Sequence, residues 1–169
     1  MKTLVIQDDA EPAENGINRS APVVGTSETE VAAARDVVWD VLTGIEHWPS
    51  WNPDVRSVSM HGALSEGTVF RWKTGPGTIT STLEHVEVPR RVAWSGKAFG
   101  LKAMHVYALE ARNGTTLVRT EESYDGLVAR LFRARLQKTL DGALEIGLRH
   151  LKAEAERRTT AHLAAERRS

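Results

Sequence analysis

Between Thr115 and Leu151 the chain reads TTLVRTEESYDGLVARLFRARLQKTLDGALEIGLRHL, and its hydrophobic period changes at Gly126. Before Gly126 the residues favour a β-strand, because β-branched and aromatic residues are frequent and the run ends at the turn signal Asp125-Gly126. After Gly126, leucines recur every three or four residues, which is the spacing of one face of an α-helix. We therefore predict a strand followed by one long amphipathic helix, from Leu127 to about Arg158.

Residues 55–124 show strand patterns, in short runs closed by turn signals. Asn113-Gly114 is the strongest of these signals, since this pair favours a two-residue hairpin turn. All the connections are short, which predicts an antiparallel meander. The predicted strands are Val55–Met60, Thr68–Lys73, Thr78–Val88, Val92–Phe99, Leu101–Ala111 and Thr115–Tyr124.

The region before the meander adds a strand and two short helices. Ser27–Val31 alternates weakly and fits a strand, while Arg35–Leu42 fits a short amphipathic helix. Ile45–Pro53 contains two prolines and therefore predicts one helical turn and a loop. The expected fold class is α+β, with about seven antiparallel strands and one long C-terminal helix. Its expected organisation is an arm (1–22), one domain (23–158) and a tail (159–169).

Composition narrows the functional classes. The 169 residues carry no net charge and no cysteine, which excludes disulfides and thiolate chemistry and agrees with a reducing, cytoplasmic location. The sequence shows neither a signal peptide nor a run of about 20 apolar residues, so no integral membrane segment is expected. Residues Leu127–Ser169 contain ten Lys or Arg and five Asp or Glu, so the rest of the chain carries a net negative charge. A uniformly basic nucleic-acid binder is therefore not expected. Arg130, Arg133, Arg135 and Lys138 form a basic patch, which is either a solvated face or a surface for anionic headgroups or a partner.

At this point the chain resembles the START-like helix-grip (SRPBCC) superfamily, and within it the polyketide cyclase/dehydrase-like proteins. The most specific motif is His47-Trp48-Pro49-Ser50-Trp51-Asn52-Pro53, and Val88–Trp94 and Thr120–Gly126 add to it. The resemblance implies a curved sheet around the long helix, with an elongated apolar cavity between them. It also implies a small hydrophobic ligand, such as a lipid or polyketide, and an architecture rather than a fixed reaction.

Aromatic residues are the first candidates for ligand contact. Trp48 and Trp51 either form a lip at the cavity mouth or plug the space between the short helices and the sheet. Phe70 and Trp72 alternate with Arg71 and Lys73, so we expect the two aromatic rings to face inward. Trp94 has the parity of Val92 and is expected to face inward as well, either shaping a pocket or filling the core.

A polar cluster on the last two strands is the second candidate. His105 and Tyr107 share one face of their strand, and Arg119 and Glu121 share one face of the next. If both faces point inward, the four residues line the cavity, and His105 with Glu121 could transfer protons in an aldol cyclisation or dehydration. The other face of the last strand, Val118-Thr120-Glu122-Tyr124, is about as apolar, and one β-bulge would exchange the two.

The histidine spacing predicts no metal site, and no motif implies a cofactor. Three functions therefore stay open. The first is binding, transport or sensing of a small hydrophobic molecule by a monomer or homodimer. The second is a cyclase or dehydratase that uses His105 and Glu121, with Tyr107 as a further candidate. The third is a protein-interaction module, whose partner would be lost on charge reversal of Arg130 and Arg133.

Overall fold

The computed structural model describes residues 16–75 and 77–166. The first fifteen residues of the predicted arm and the last three of the predicted tail therefore lie outside the described residues. In chain order the elements are β1 (Val23–Val31), α1 (Arg35–Thr43), a 3-10 turn (Ile45–His47), α2 (Trp48–Trp51), β2 (Val55–Met60), β3 (Val69–Thr74), β4 (Gly77–Glu87), β5 (Arg91–Ala98), β6 (Leu101–Arg112), β7 (Thr115–Asp125), α3 (Leu127–Leu131) and α4 (Arg133–Glu166).

The strands form one antiparallel seven-stranded sheet in the order β1-β7-β6-β5-β4-β3-β2. Strands β2 to β7 are neighbours in chain order, which confirms the predicted meander, and β1 closes the sheet beside β7. Register shifts between Val55 and Ser57, and between Leu83 and His85, bend the outer strands as β-bulges do. The fold is the predicted helix-grip arrangement, with a curved sheet around a long C-terminal helix.

Helix α4 packs on the concave face of the sheet, above β1. Its leucine stripe is buried there, and the stripe continues into Ala155. Gly25 on β1 allows the close approach, because a Cβ at this position would lie 2.9 Å from both Leu140 Cγ and Leu144 Cδ1. The buried members of the stripe are Leu140, Leu144, Leu148 and Leu151.

The structure differs from the sequence prediction at both ends of the long helix. The predicted helix is divided into α3 and α4 at Phe132, where the backbone leaves helical values (φ −115°, ψ 27°). No glycine or proline marks this break in the sequence. At its other end α4 continues to Glu166, so part of the predicted tail is helical. Thr159 and Thr160 lie in this extension, and their hydroxyl groups donate to the Ala155 and Glu156 carbonyls one turn earlier.

The end of the predicted arm is anchored on the convex face of the sheet. Ile17 is buried with Ala93 and Val106, and the Asn18 amide donates to Ser123 Oγ at 3.2 Å. Residues 16–22 therefore belong to the packed structure, and order begins before the predicted position 23. The missed signal is an isolated Ile17 in a polar segment, which has no periodicity to reveal it.

Candidate functional site

Four aromatic rings line the interior between the short helices and the sheet. Trp48 packs edge-on against Phe70 and Trp72, with ring centroids 5.8 and 5.7 Å apart, and tilted against Trp94 at 5.6 Å. Phe70, Trp48 and Trp94 are buried, and Trp72 is partly buried with its indole N–H donating to Ser81 Oγ at 3.2 Å. The expected inward facing of the rings on β3 and β5 agrees with these contacts.

The two tryptophans of the short helices differ in their surroundings. Trp48 is 5 % exposed, and its indole N–H donates to the Leu42 carbonyl at 2.9 Å. These contacts fit the plug interpretation of Trp48, which ties α1 to the aromatic cluster. Trp51 is only partly buried, and its indole nitrogen has no hydrogen-bond partner within the described residues. Trp51 therefore stays the better candidate of the two for a polar ligand contact.

A polar cluster continues from Trp94 onto β6 and β7. The His105 ring lies 4.9 Å from Trp94 and stacks on Tyr107 at 4.7 Å. His105 Nε2 and Thr120 Oγ1 share a hydrogen bond of 2.7 Å, and His105 Nδ1 lies 3.5 Å from Glu122 Oε2. The register explains this arrangement, since His105 pairs with Glu122 and Tyr107 with Thr120 across the two strands.

The facing of β7 corrects part of the predicted cluster. Arg119 and Glu121 point to the convex face, away from His105. Arg119 Nε binds Glu28 Oε2 of β1 at 2.8 Å, and Arg19 binds Glu121 at 3.0 Å. The cause is the uninterrupted register of the β6–β7 hairpin, in which no bulge exchanges the two faces. The inward carboxylate is Glu122, from the alternative face that the sequence left open.

Burial controls the protonation of this cluster. It raises the pKa of Glu122 to about 8 and lowers the pKa of His105 to about 3, because the interior disfavours the charged form of each group. Burial likewise raises the pKa of the Tyr107 phenol. Near pH 7 the site therefore holds a neutral carboxylic acid beside a neutral imidazole. The distance of 3.5 Å is longer than a direct O–H···N hydrogen bond, so the acid proton is not committed to the imidazole.

A cleft of about 680 Å³ opens between α4 and the β2–β3 side of the sheet. Gly142, Ala143 and Ile146 of α4 form one wall, and Pro53 and Asp54 belong to the opposite wall. Helix α4 contributes residues both to the cleft and to the surroundings of the polar cluster. The residue after Ile146 is Gly147, where a Cβ would lie 3.9 Å from the Tyr107 hydroxyl oxygen. His105 and Glu122 keep 13 and 14 % of their side-chain surface exposed.

Within the described residues, no cluster of three His, Cys, Asp or Glu side chains could hold a metal ion. Among the helices of residues 16–75 and 77–166, none is long and apolar enough to cross a membrane.

A protein-family model matches most of the sequence. That family is described as polyketide cyclase / dehydrase and lipid transport, and its model matches residues 22–156. The chain belongs to this family. Its fold is the polyketide cyclase-like START fold. No curated protein matches the sequence.

Several solved structures share the fold of this family domain at low sequence identity. The hypothetical protein jhp0584 from Helicobacter pylori has a TM-score of 0.75 and 18% identity over 90% of this chain and 99% of its own. The Zhui aromatase/cyclase from Streptomyces sp. R1128 has a TM-score of 0.71 and 18% identity, covering 80% of this chain and 94% of its own. A START superfamily protein from Mycobacterium smegmatis has a TM-score of 0.63 and 13% identity, covering 79% and 97%.

Proposed function

We propose that this domain binds a small hydrophobic molecule of the lipid or polyketide class in the cleft beside α4, with one polar oxygen of the ligand in the cluster of His105, Thr120 and Glu122. The observation that carries this proposal is the largely buried Glu122 carboxyl group, which lies 3.5 Å from the His105 imidazole, whose ring in turn lies 4.9 Å from Trp94. Burial raises the pKa of Glu122, which favours the protonated acid. The fold similarity to an aromatase/cyclase supports the ligand class.

The chemistry of the cluster favours a carbonyl oxygen as the polar group. A protonated carboxylic acid donates one hydrogen bond, and a donor in an apolar pocket selects an acceptor more strongly than it does in water. The rings of Trp72 and Trp94 pack on Trp48, and Trp94 continues this apolar cluster to His105. A hydrophobic molecule with one carbonyl group therefore matches both the polar cluster and the aromatic residues beside it.

The test uses two probes of nearly the same shape, 2-acetylnaphthalene and 2-ethylnaphthalene, of which only the first carries a carbonyl. Equilibrium dialysis measures both affinities at pH 7. We expect the ketone to bind the wild type at least about tenfold more tightly, which is the discrimination that one hydrogen bond to a charge-free donor supplies. Glu122→Leu should remove most of this ratio while it leaves the affinity for 2-ethylnaphthalene within about threefold.

The adjacent Glu121 provides the matched control, because it lies on the opposite face of the same strand. Glu121→Leu should keep the wild-type ratio. Equal affinity of the wild type for the two probes, or the same loss in both variants, would contradict recognition by the Glu122 cluster. If neither probe binds the wild type at micromolar concentrations, the proposed class of ligand is wrong for this cleft.

A second candidate function follows from the same pair of residues. Neutral His105 could accept a proton from the carbon beside a ligand carbonyl while Glu122 gives its proton to the carbonyl oxygen, which forms an enol, an imidazolium and a carboxylate. The low pKa of His105 makes it a weak base, so binding is the leading proposal. NMR in D₂O distinguishes the two functions. If the site catalyses enolisation, the methyl proton signal of 2-acetylnaphthalene should disappear faster with the protein than in buffer, and His105→Phe should abolish this acceleration. If the site only binds the ketone, exchange of the methyl protons should not exceed the rate in buffer.

A further inference from the structure

Four large apolar side chains are exposed at one end of the molecule, around the β5–β6 turn and α3. Phe99 in the turn is 72% exposed, and on α3 and the residue after it Leu127, Leu131 and Phe132 are 70, 67 and 56% exposed. The turn and α3 are adjacent, because a Cβ at Gly100 would lie 3.3 Å from a side-chain carbon of Val128. These four residues therefore form one exposed apolar surface rather than isolated exposed side chains.

Cationic residues surround this apolar surface. Arg130, Arg133, Arg135 and Lys138 are all exposed, and Arg130 and Arg133 flank the Leu131-Phe132 pair directly. In the part of the chain that the structure describes, none of these four forms an ion pair. Within the described residues, their charge is therefore not neutralised by an ion pair. We call the four apolar and four cationic residues together the α3 surface.

The α3 surface lies at the rim of the cleft. Lys138 and Gly75 both line the cleft, and the Phe99 ring covers Gly77 at the end of the same β3–β4 turn. A Cβ at Gly77 would overlap this ring, so the ring is in direct contact with the turn. A body that contacted the α3 surface would consequently face the opening between α4 and the sheet.

We propose that the α3 surface docks on an anionic lipid bilayer, with Phe99, Leu127, Leu131 and Phe132 at the headgroup boundary and the four cations on lipid phosphates. Exposed Leu and Phe between Arg and Lys is the composition of interfacial membrane-binding segments. A second copy of the chain is disfavoured because a symmetric contact would bring like charges together. A nucleic acid would use the cations but not the aliphatic residues. The proposal does not depend on which molecule the cleft holds.

Vesicle co-sedimentation tests the proposal with the full chain. The vesicles are phosphatidylcholine alone and phosphatidylcholine with about 30 mol per cent phosphatidylglycerol, at moderate salt. We expect the wild type to bind the anionic vesicles and to bind the zwitterionic ones much more weakly. The double variant Arg130→Glu and Arg133→Glu should lower the partition coefficient by about thirtyfold or more, and Leu131→Ser with Phe132→Ser by about tenfold or more.

Matched controls come from exposed residues elsewhere on the same chain. Arg149→Glu changes an exposed cation on α4, and Leu163→Ser changes an apolar residue that is 46% exposed, so both should bind as the wild type does. Loss of binding in the arginine variant with full binding in the Leu131/Phe132 variant would indicate purely electrostatic adsorption and overturn docking through the apolar residues. Absence of wild-type binding to the anionic vesicles would overturn it as well. Affinity for 2-acetylnaphthalene, measured on the same variants, separates failure of docking from failure of the cleft.

Discussion

His105 Nδ1 and Glu122 Oε2 lie 3.5 Å apart on directly paired residues of β6 and β7, in an interior that keeps both groups uncharged. A surface pair of this kind would ionise and attract. Here the cost of removing two charges from water exceeds their attraction, so the acid keeps its proton and the imidazole stays neutral. The pair is therefore a hydrogen-bonding site whose state depends on pH, and its titration has measurable consequences for stability.

The first prediction concerns the pH dependence of unfolding. The folded-state pKa of Glu122 is raised from 4.5 to about 8, so between these values the unfolded chain has lost a proton that the folded chain keeps, and stability falls as pH rises. The folded-state pKa of His105 is lowered from 6.5 to about 3, so between those values stability falls as pH decreases. The two effects oppose each other between about pH 4.5 and 6.5, and above this interval only Glu122 contributes.

Urea unfolding of the wild type and Glu122→Gln from about pH 5 to pH 8 measures the difference. We expect Glu122→Gln to gain roughly 1 kcal/mol on the wild type for each pH unit in this interval, because the amide cannot ionise. Glu121→Gln is the control, since its side chain lies on the convex face, and its pH profile should be parallel to that of the wild type. Parallel profiles for Glu122→Gln would mean that Glu122 is ionised in the folded protein.

The second prediction concerns the hydrogen bond between Thr120 and His105. Thr120 is fully buried, and its Oγ1 lies 2.7 Å from His105 Nε2. Thr120→Val preserves the shape of the side chain but leaves the imidazole nitrogen without this partner. We expect a loss of about 1 to 3 kcal/mol in the free energy of unfolding, measured in urea. Thr78→Val, at an exposed position of β4, should change it by less than about 0.5 kcal/mol; an equally small change for Thr120→Val would show that the bond contributes nothing net.

The third prediction compares substitution by alanine at two glycines, one in close contact with α4 side chains and one inside α4 with no close neighbour. A methyl group at Gly25 would lie 2.9 Å from Leu140 Cγ and Leu144 Cδ1, so Gly25→Ala must displace α4. We expect it to cost about 1 to 3 kcal/mol in thermal or urea unfolding. Gly142 lies inside α4, and a Cβ there meets nothing within 4 Å, so Gly142→Ala should stabilise the protein by about 1 kcal/mol through helix propensity. A Gly25→Ala variant as stable as the wild type would mean that α4 and β1 accommodate the methyl group. A destabilised Gly142→Ala variant would mean that position 142 is not open to a side chain.

The fold could be predicted because local signals and topology agree along most of the chain. The turn at Asn113-Gly114 gives a two-residue hairpin, and short connections leave a meander as the simple arrangement of the strands. The leucine stripe from Leu136 to Leu151 indicates the helix that covers the sheet. The break at Phe132 and the anchoring of Ile17 were not predictable, since each depends on tertiary contacts and neither has a periodic pattern.

The residue types of the candidate site could be predicted, but the face of β7 that points inward could not. Parity along a strand leaves two choices for β7, and the apolar content of its two faces is nearly equal, so Glu121 was as plausible as Glu122. The register of the β6–β7 hairpin determines which face of β7 points inward. If Arg112 pairs with Thr115 across the Asn113-Gly114 turn, counting outward pairs His105 with Glu122, and paired residues share a face. Only an assumption that no bulge intervenes was needed.

The last prediction joins the protonation of Glu122 to ligand binding. If the neutral acid donates to the ligand carbonyl, only the protonated form of the protein is competent, and the apparent affinity falls with its fraction. With a folded-state pKa of about 8, the affinity for 2-acetylnaphthalene should fall by up to about tenfold between pH 7 and pH 9. The probe has no titrating group in this range, and His105 stays neutral throughout, so the dependence belongs to Glu122.

Glu122→Gln tests the titration of the carboxyl group separately from the shape of the side chain, because the amide N–H₂ remains a donor at every pH. Its affinity for 2-acetylnaphthalene should stay level from pH 7 to pH 9, and 2-ethylnaphthalene should bind the wild type equally at both values. Equilibrium dialysis at these two pH values gives all three comparisons. A level wild-type profile for the ketone would assign its recognition to Thr120 or Tyr107 instead of Glu122. A fall shared by wild type and Glu122→Gln would place the titration on a group other than Glu122.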